Sequence, residues 1–158
     1  MSADSPATIP SLTYARFEAI APDGLGALLA MGKAVDAAGL EKTLTELVKL
    51  RVSQINGCAF CIALHLKVAR RAGVENVRLD MLTAWRDTDL YTARERAALQ
   101  WAEHVTRFPT APVAAAAQAE IAANFTEQEI THLTVAIANI NAWNRIAGAL
   151  HFPPMPEG

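Results

Sequence analysis

The chain has 158 residues, 52% of them hydrophobic, and a formal net charge of −2 at pH 7. This length is typical of a single domain that needs no disulfide framework to fold. Acidic and basic residues are interspersed, and no basic patch with interleaved aromatic residues occurs, so nucleic acid is not an expected partner. The high apolar content indicates that the folded chain has apolar surface left over for contacts with other copies of itself.

The ends of the sequence predict neither targeting nor membrane insertion. Residues 1–11 are polar and contain two prolines, which predicts an N-terminal arm, and they lack the regions of a secretory signal. The sequence contains no run of about 18 apolar residues, so no membrane span is predicted. We therefore expect a cytoplasmic protein with no membrane partner. In that reducing compartment, a pair of nearby cysteines is more often catalytic or metal-binding than structural.

We expect residues 12–150 to form one domain, followed by a C-terminal tail at residues 151–158. A first helix is predicted over residues 22–38, with a proline at its first position and a glycine after its end. A second is predicted over residues 41–55. Because apolar residues cover more than half of its circumference, neighbouring helices or another subunit should enclose it. A third helix is predicted over residues 58–72.

Four further helices are predicted in the second half of the domain. Capping boxes, in which a threonine is followed three residues later by a glutamate, open two of them at Thr92 and Thr126. No segment shows the alternation of apolar and polar residues that is typical of strands, so the predicted fold class is all-α. These helices are expected over residues 77–85, 92–107 and 113–123, and from residue 126 to residue 152 at most.

The two cysteines of the chain, Cys58 and Cys61, lie at the predicted start of the third helix. Such a C-x-x-C pair can alternate between a dithiol and a disulfide, and its nucleophile is the thiolate. The positive end of the helix dipole favours Cys58 as the nucleophile. His65 lies one helical turn after Cys61 and could act as its base, which favours Cys61 and is given more weight. Glu46, on the preceding helix, is expected to orient His65 or relay its proton.

Three other interpretations of these residues remain open. Cys58, Cys61, His65 and Glu46 could bind zinc, although structural zinc usually takes a C-x-x-C from a glycine-rich knuckle rather than from a helix start. The pair could instead belong to a non-enzymatic redox sensor or oligomeric interaction module, in which the disulfide changes the binding of a partner. In the inert interpretation, both cysteines are small buried hydrophobic residues and His65 is a core residue with satisfied hydrogen bonds.

The pattern formed by Glu46, Cys58, Cys61 and His65 resembles the core motif of the alkylhydroperoxidase D (AhpD-like) family, within the carboxymuconolactone decarboxylase-like superfamily. The resemblance covers most of residues 12–150 and includes the stretches LVKLRVSQINGCAFC and AIANINAWNR. It implies an AhpD-like helical fold, a helix pair carrying the C-x-x-C at a helix N-terminus, and assembly into trimers or hexamers.

The same resemblance implies the activity of a thiol-dependent alkyl hydroperoxide reductase. Cys61 would be the peroxidatic cysteine, Cys58 the resolving cysteine, His65 the base and Glu46 part of the proton relay. An external dithiol or a reductase protein would reduce the resulting disulfide, with no bound cofactor or metal. One position departs from the family pattern: Phe60 stands where relatives carry a histidine of the proton relay, so a shorter relay is expected here.

Polar residues on two predicted helices also require partners. Arg51 lies on the apolar stripe of the second helix, which predicts a buried ion pair with an acidic residue of a neighbouring helix. Asn139, Asn141 and Asn144 cluster in the last helix although asparagine is a poor helix former. We therefore expect them to form hydrogen bonds with buried groups or across an interface. Trp143, in the same cluster, is expected to be a packing anchor.

Overall fold

The computed structural model describes residues 10–154, and within that range the regular secondary structure is entirely helical. The predicted all-α fold class is therefore confirmed. Most of the predicted N-terminal arm and the end of the predicted tail lie outside the described residues. The helices are α1 (Tyr14–Ile20), α2 (Pro22–Ala37), α3 (Lys42–Asn56), α4 (Ala59–Arg71), α5 (Asn76–Asp80), a 3-10 helix (Leu82–Asp87), α6 (Ala93–Arg107), α7 (Ala115–Asn124) and α8 (Glu127–Ala149).

The two predicted capping boxes are present at the starts of α6 and α8. Thr92 and Thr126 each accept a hydrogen bond from the backbone N–H of the glutamate three residues later. The carboxylate of that glutamate in turn accepts from the backbone N–H of the threonine, at 2.9 Å and 2.8 Å. Both predicted capping boxes are therefore complete, and they fix the first turns of α6 and α8.

Two parts of the helix prediction are wrong. The single helix predicted over residues 77–85 is α5 followed by the 3-10 helix, because the backbone at Met81 (φ −90°, ψ 2°) departs from α-helical values. In addition, α1 has no counterpart in the prediction. It has seven residues and buries Phe17 alone, so it is too short to produce a helical pattern of apolar residues.

Helix α3 runs through the centre of the molecule and is enclosed by the chain itself. It packs against α4, α6, α8 and the 3-10 helix. Leu44, Val48 and Val52 belong to a core cluster shared with α2, α4 and α8, whereas Leu47 and Leu50 belong to a second cluster with the 3-10 helix and α6. The apolar circumference of α3 is thus buried within one subunit, without the need for another.

A buried carboxylate connects α6 to α3 and to the 3-10 helix. Glu103 is 3% exposed, and its carboxylate accepts hydrogen bonds from Arg51 at 2.8 Å, Trp85 at 2.9 Å and Arg86 at 2.8 Å. Burial alone would raise the pKa of Glu103, but these donors outweigh it and lower the pKa to about 2. The predicted ion pair of Arg51 is confirmed.

None of the helices within residues 10–154 is both long and apolar enough to cross a lipid bilayer.

Candidate active site at the α3–α4 turn

A tight turn between α3 and α4 positions both cysteines. Gly57 ends α3 with φ 68° and ψ 28°, in the left-handed region that glycine adopts without strain. The backbone N–H of Cys58 donates to the carbonyl of Ser53 at 3.1 Å. Cys58 is then the N-cap of α4, and its Sγ accepts a hydrogen bond from the backbone N–H of Cys61 at 3.3 Å. The turn therefore holds Cys58 against the first turn of the helix that carries Cys61.

Both cysteines are free thiols and almost fully buried, with exposed fractions of 3% for Cys58 and 2% for Cys61. Burial raises the pKa of the Cys61 thiol well above its ordinary value, and the hydrogen bond with Cys58 raises it further. A hydrogen bond with Asn144 acts in the opposite direction but is outweighed. Cys61 therefore needs a proton acceptor before it can react as a thiolate.

Glu46 holds the imidazole of His65 from the neighbouring helix. Its Oε2 lies 2.7 Å from Nδ1 of His65, and its Oε1 lies 2.9 Å from Nζ of Lys49 and 3.2 Å from Nζ of Lys42. Glu46 is 1% exposed, and burial alone would raise its pKa. The hydrogen bond and charge of His65, together with Lys49, outweigh burial and lower the pKa of Glu46 to about 2.

This contact fixes the tautomer of a neutral His65. An ionised carboxylate can only accept hydrogen bonds, so Nδ1 of His65 carries the hydrogen that it donates to Glu46. In the neutral ring, Nε2 is then left as the proton acceptor. Glu46 is thus placed to orient the imidazole of His65, the arrangement that an orienting group and its base require.

A cavity of about 290 Å³ lies next to Cys61 and His65. Residues of α2, α4 and α8 form most of its wall, and Tyr14 of α1 contributes to one side. Cys61 and His65 both line it, whereas Cys58 lies outside the lining. No hydrogen bond joins Cys61 to His65 among the described residues. The cavity is thus the space that these two side chains share.

Aromatic side chains form one wall of this cavity, and Phe60 belongs to it. Tyr14 stacks between Phe60 and Trp143, with ring centroids 6.2 Å apart in both pairs. Phe152, from the segment after α8, meets Phe60 edge-on at 5.3 Å. The residue that replaces the relay histidine therefore anchors an aromatic cluster, which we call the aromatic wall. Trp143 packs as predicted and also lines the cavity.

Two asparagines of α8 bond to the end of α3, and the bond of Asn144 to the buried Ser53 confirms one of the two expectations for this cluster. Asn144 donates to the hydroxyl of Ser53 at 3.1 Å and accepts from Asn56 at 2.8 Å. Asn141 accepts from Asn56 at 3.0 Å. These bonds connect α8 to the end of α3, immediately before the turn that carries Cys58. They therefore stabilise the position of the cysteine pair.

Two polar residues near the site, Lys42 and Lys49, were not singled out by sequence, whereas Asn139 was expected only to form hydrogen bonds with buried groups or across an interface. Lys42 and Lys49 contact Glu46, four residues before and three residues after it, and this helical spacing was the available signal. Asn139 lines the cavity between Ala136 and Trp143 in the apolar stripe of α8, where a polar residue is itself a signal. The alternative zinc interpretation is not supported by the geometry: no group of three or more His, Cys, Asp or Glu residues within 10–154 could hold a metal ion.

The helical fold and the C-x-x-C pair between two helices indicate a helical thiol protein. Comparisons with known proteins support this class. The profile of the carboxymuconolactone decarboxylase family matches residues 22–104. The uncharacterized protein YdfG of Bacillus subtilis (strain 168) is 38% identical over 131 residues, which cover 83% of this chain and 89% of YdfG. The chain belongs to the carboxymuconolactone decarboxylase family and is AhpD-like within it.

Solved structures share the fold over most of its length. A protein of unknown function from Agrobacterium tumefaciens, proposed to be the antioxidant defence protein AhpD, superposes with a TM-score of 0.87 at 36% identity. The match covers 92% of this chain and all of that one. The debrominase Bmp8 superposes with a TM-score of 0.77 at 24% identity, over 85% of this chain and 72% of Bmp8. The likeness to Bmp8 is one of fold alone.

Proposed function

We propose that the protein is a thiol-dependent hydroperoxide reductase in which Cys61 is the peroxidatic cysteine. The observation that carries this proposal is the lining of the cavity. Cys61 and His65 both reach it, whereas Cys58 lies behind Cys61. The relative from Agrobacterium tumefaciens, proposed to act in antioxidant defence, also supports it. Because a debrominase shares the fold, the fold alone does not select the reaction.

The first step forms a sulfenic acid. The thiol of Cys61 loses its proton, through a water molecule in the cavity that both side chains line, to Nε2 of His65, which Glu46 holds in the accepting tautomer. The thiolate sulfur attacks the terminal oxygen of the hydroperoxide and the O–O bond breaks. Cys61 becomes a sulfenic acid, and the alkoxide leaves as an alcohol after taking up the proton. The sulfur is oxidised by two electrons, and the peroxide bond is reduced by two.

The second step forms a disulfide. The sulfur of Cys58 attacks the sulfenic sulfur of Cys61, and water leaves. Cys58 is well situated for this step because its Sγ already contacts the first turn of α4, 3.3 Å from the backbone nitrogen of Cys61. An external dithiol or reductase protein then returns both cysteines to thiols by thiol–disulfide exchange. No cofactor bound by the protein takes part.

Turnover distinguishes this proposal from a redox sensor. With excess dithiothreitol, an enzyme consumes many equivalents of cumene hydroperoxide per chain, and we expect sustained consumption. Without dithiothreitol, consumption should stop at one equivalent, and the intact mass should fall by the mass of two hydrogen atoms as the disulfide forms. Consumption that stops at one equivalent even with excess dithiol would identify a sensor instead.

Self-association is part of the proposal. Large apolar side chains remain on the surface of one subunit, among them Ile20 at 58% exposure, Val77 at 51% and Phe108 at 65%. Such exposed apolar residues favour contacts between copies of the chain. We expect light scattering to report a trimer or hexamer, and a monomer at all concentrations would contradict this part of the proposal.

A further inference from the structure

One cation in the lining of the cavity has no anionic partner among the described residues. Lys33 of α2 is exposed to solvent and lines the cavity. Its ammonium group forms neither an ion pair nor a hydrogen bond with any residue of 10–154. A lysine ammonium carries three hydrogen-bond donors and a compact positive charge. The side chain of Lys33 is therefore available to a ligand that enters the cavity.

The other charged groups of the lining already have partners. Both carboxylate oxygens of Asp36 accept from Nζ of Lys42, at 2.9 Å and 3.2 Å. Nζ of Lys49 and Nδ1 of His65 both contact the carboxylate of Glu46, at 2.9 Å and 2.7 Å. With the exposed lysine of α2 included, three lysines stand against two carboxylates. This side of the cavity thus carries one positive charge that the protein does not balance, and it attracts an anion.

The cavity joins this exposed cation to a buried sulfur. Lys33 is open to solvent, whereas Cys61 is 2% exposed, and both line the same space. Most of the remaining lining is apolar, and it includes three rings of the aromatic wall, those of Tyr14, Phe60 and Trp143. At about 290 Å³, the cavity lies at the small end of the range of about 300–1,000 Å³ for ligand sites. A ligand that matches it is small, has an apolar ring-bearing body and carries one anionic group.

We propose that the cavity selects small ring-bearing carboxylates, and that Lys33 binds the carboxylate at the solvent-exposed side while the ring lies against the aromatic wall. Aromatic rings pack favourably against one another, and a lysine pairs with a carboxylate as a point charge. The identity of the reacting group rests on the proposed function. On that basis the substrate is an aromatic acid that also carries a hydroperoxide group, which the cavity brings to the side lined by Cys61.

The test uses ligands that cannot react. Binding of 4-isopropylbenzoate and of 4-isopropylbenzamide to the reduced protein at neutral pH is measured by an NMR titration that follows the indole N–H signal of Trp143, which lines the cavity. The two ligands share the ring and the branched carbon, but only the benzoate is charged. We expect the wild type to bind the benzoate roughly 3-fold to 5-fold more tightly, as a solvent-exposed ion pair produces. The preference should disappear as the salt concentration rises from about 0.01 M to about 1 M.

Lys33→Gln should make the two affinities equal, and Lys33→Glu should reverse the preference. Lys67→Gln is the matched control, because it changes the net charge of the protein by the same amount at a lysine of α4 that lies outside the cavity lining. It should preserve the preference for the benzoate. Equal binding of both ligands by the wild type would overturn the inference, as would failure of both to bind, or a preference that persists in Lys33→Gln. If a variant does not fold, the wild-type preference and its salt dependence decide.

These measurements need no turnover, so they separate this inference from the proposed reductase activity. A preference for the benzoate in a protein that consumes no hydroperoxide would leave the carboxylate site at Lys33 intact and remove the reductase. Sustained consumption of cumene hydroperoxide by a protein that binds both ligands equally would do the opposite.

Discussion

Cys61→Ser is expected to abolish the consumption of cumene hydroperoxide, because a serine hydroxyl cannot replace the thiolate that attacks the peroxide bond. Cys58→Ser should still consume one equivalent. Cys61 can form its sulfenic acid without Cys58, but the disulfide cannot follow, so turnover with dithiothreitol should fall strongly. The contrast follows from the cavity, which Cys61 lines and Cys58 does not.

Intact mass after reaction with dimedone, which traps sulfenic acids, measures this difference. The adduct should appear in peroxide-treated Cys58→Ser and be missing from Cys61→Ser. The opposite pattern, an adduct in Cys61→Ser alone, would reverse the roles of the two cysteines. Urea unfolding of both variants serves as the control, since each replaces one buried thiol in the same turn and should cost similar stability.

Glu46→Gln is expected to reduce both activity and stability. A neutral amide cannot balance the charges of Lys49 and Lys42, and it no longer enforces the tautomer that leaves Nε2 of His65 as acceptor. Because Glu46 orients the general base and is not the base itself, its loss should lower the rate by roughly 10-fold, less than the roughly 100-fold or more that loss of the base would cause. The shift of the Glu46 pKa from 4.5 to about 2 corresponds to about 3 kcal/mol of stability.

Glu103→Gln is the matched control for this variant. Glu103 is also a buried carboxylate with several donors, and its pKa is likewise lowered from 4.5 to about 2. It contacts Arg51, Trp85 and Arg86 rather than His65. Both variants should therefore unfold at lower urea concentration, but only Glu46→Gln should react slowly with hydroperoxide in single-turnover measurements. Equal rates for the two variants would remove Glu46 from the proton relay.

The same two carboxylates set the acid stability of the protein. In the folded state they remain ionised to about pH 2, whereas in the unfolded chain they take up protons near pH 4.5. Their contribution to stability is therefore complete above pH 4.5 and is lost as the pH falls towards 2. Urea midpoints measured across this window should fall steeply for the wild type and less steeply for Glu46→Gln. A midpoint independent of pH between 4.5 and 2 would contradict the role of both groups.

Local features of the sequence predicted local features of the fold. The capping boxes at Thr92 and Thr126 need only four consecutive residues, so they are readable without tertiary information. The spacing of Cys61 and His65 placed both on one face of α4, and Glu46 on the preceding helix was expected to orient His65. The contact between Glu46 and His65 then followed from the pairing of two consecutive helices.

Features that depend on contacts between distant parts of the chain could not be predicted from short stretches of sequence. The burial of Cys61, which raises its pKa, arises from α8 and from the segments that form the aromatic wall. The hydrogen bond of Asn139 reaches a carbonyl of α2, 111 residues earlier. The helix α1 is too short for periodicity, and its position is fixed by contacts with the opposite end of the chain.

Segments from opposite ends of the described chain meet beside the cavity. The backbone N–H of Leu12 donates to the carbonyl of Leu150 at 3.0 Å, which brings Tyr14 and Phe152 together over Phe60. The reacting sulfurs, in contrast, lie in the middle of the sequence. Segments near both ends of the described chain therefore shape the cavity, whereas the turn between α3 and α4 carries the two thiols. We expect exchange of residues 12–17 and 150–152 between homologues to change which ligands the cavity admits and to leave the turn that carries Cys58 and Cys61 unchanged.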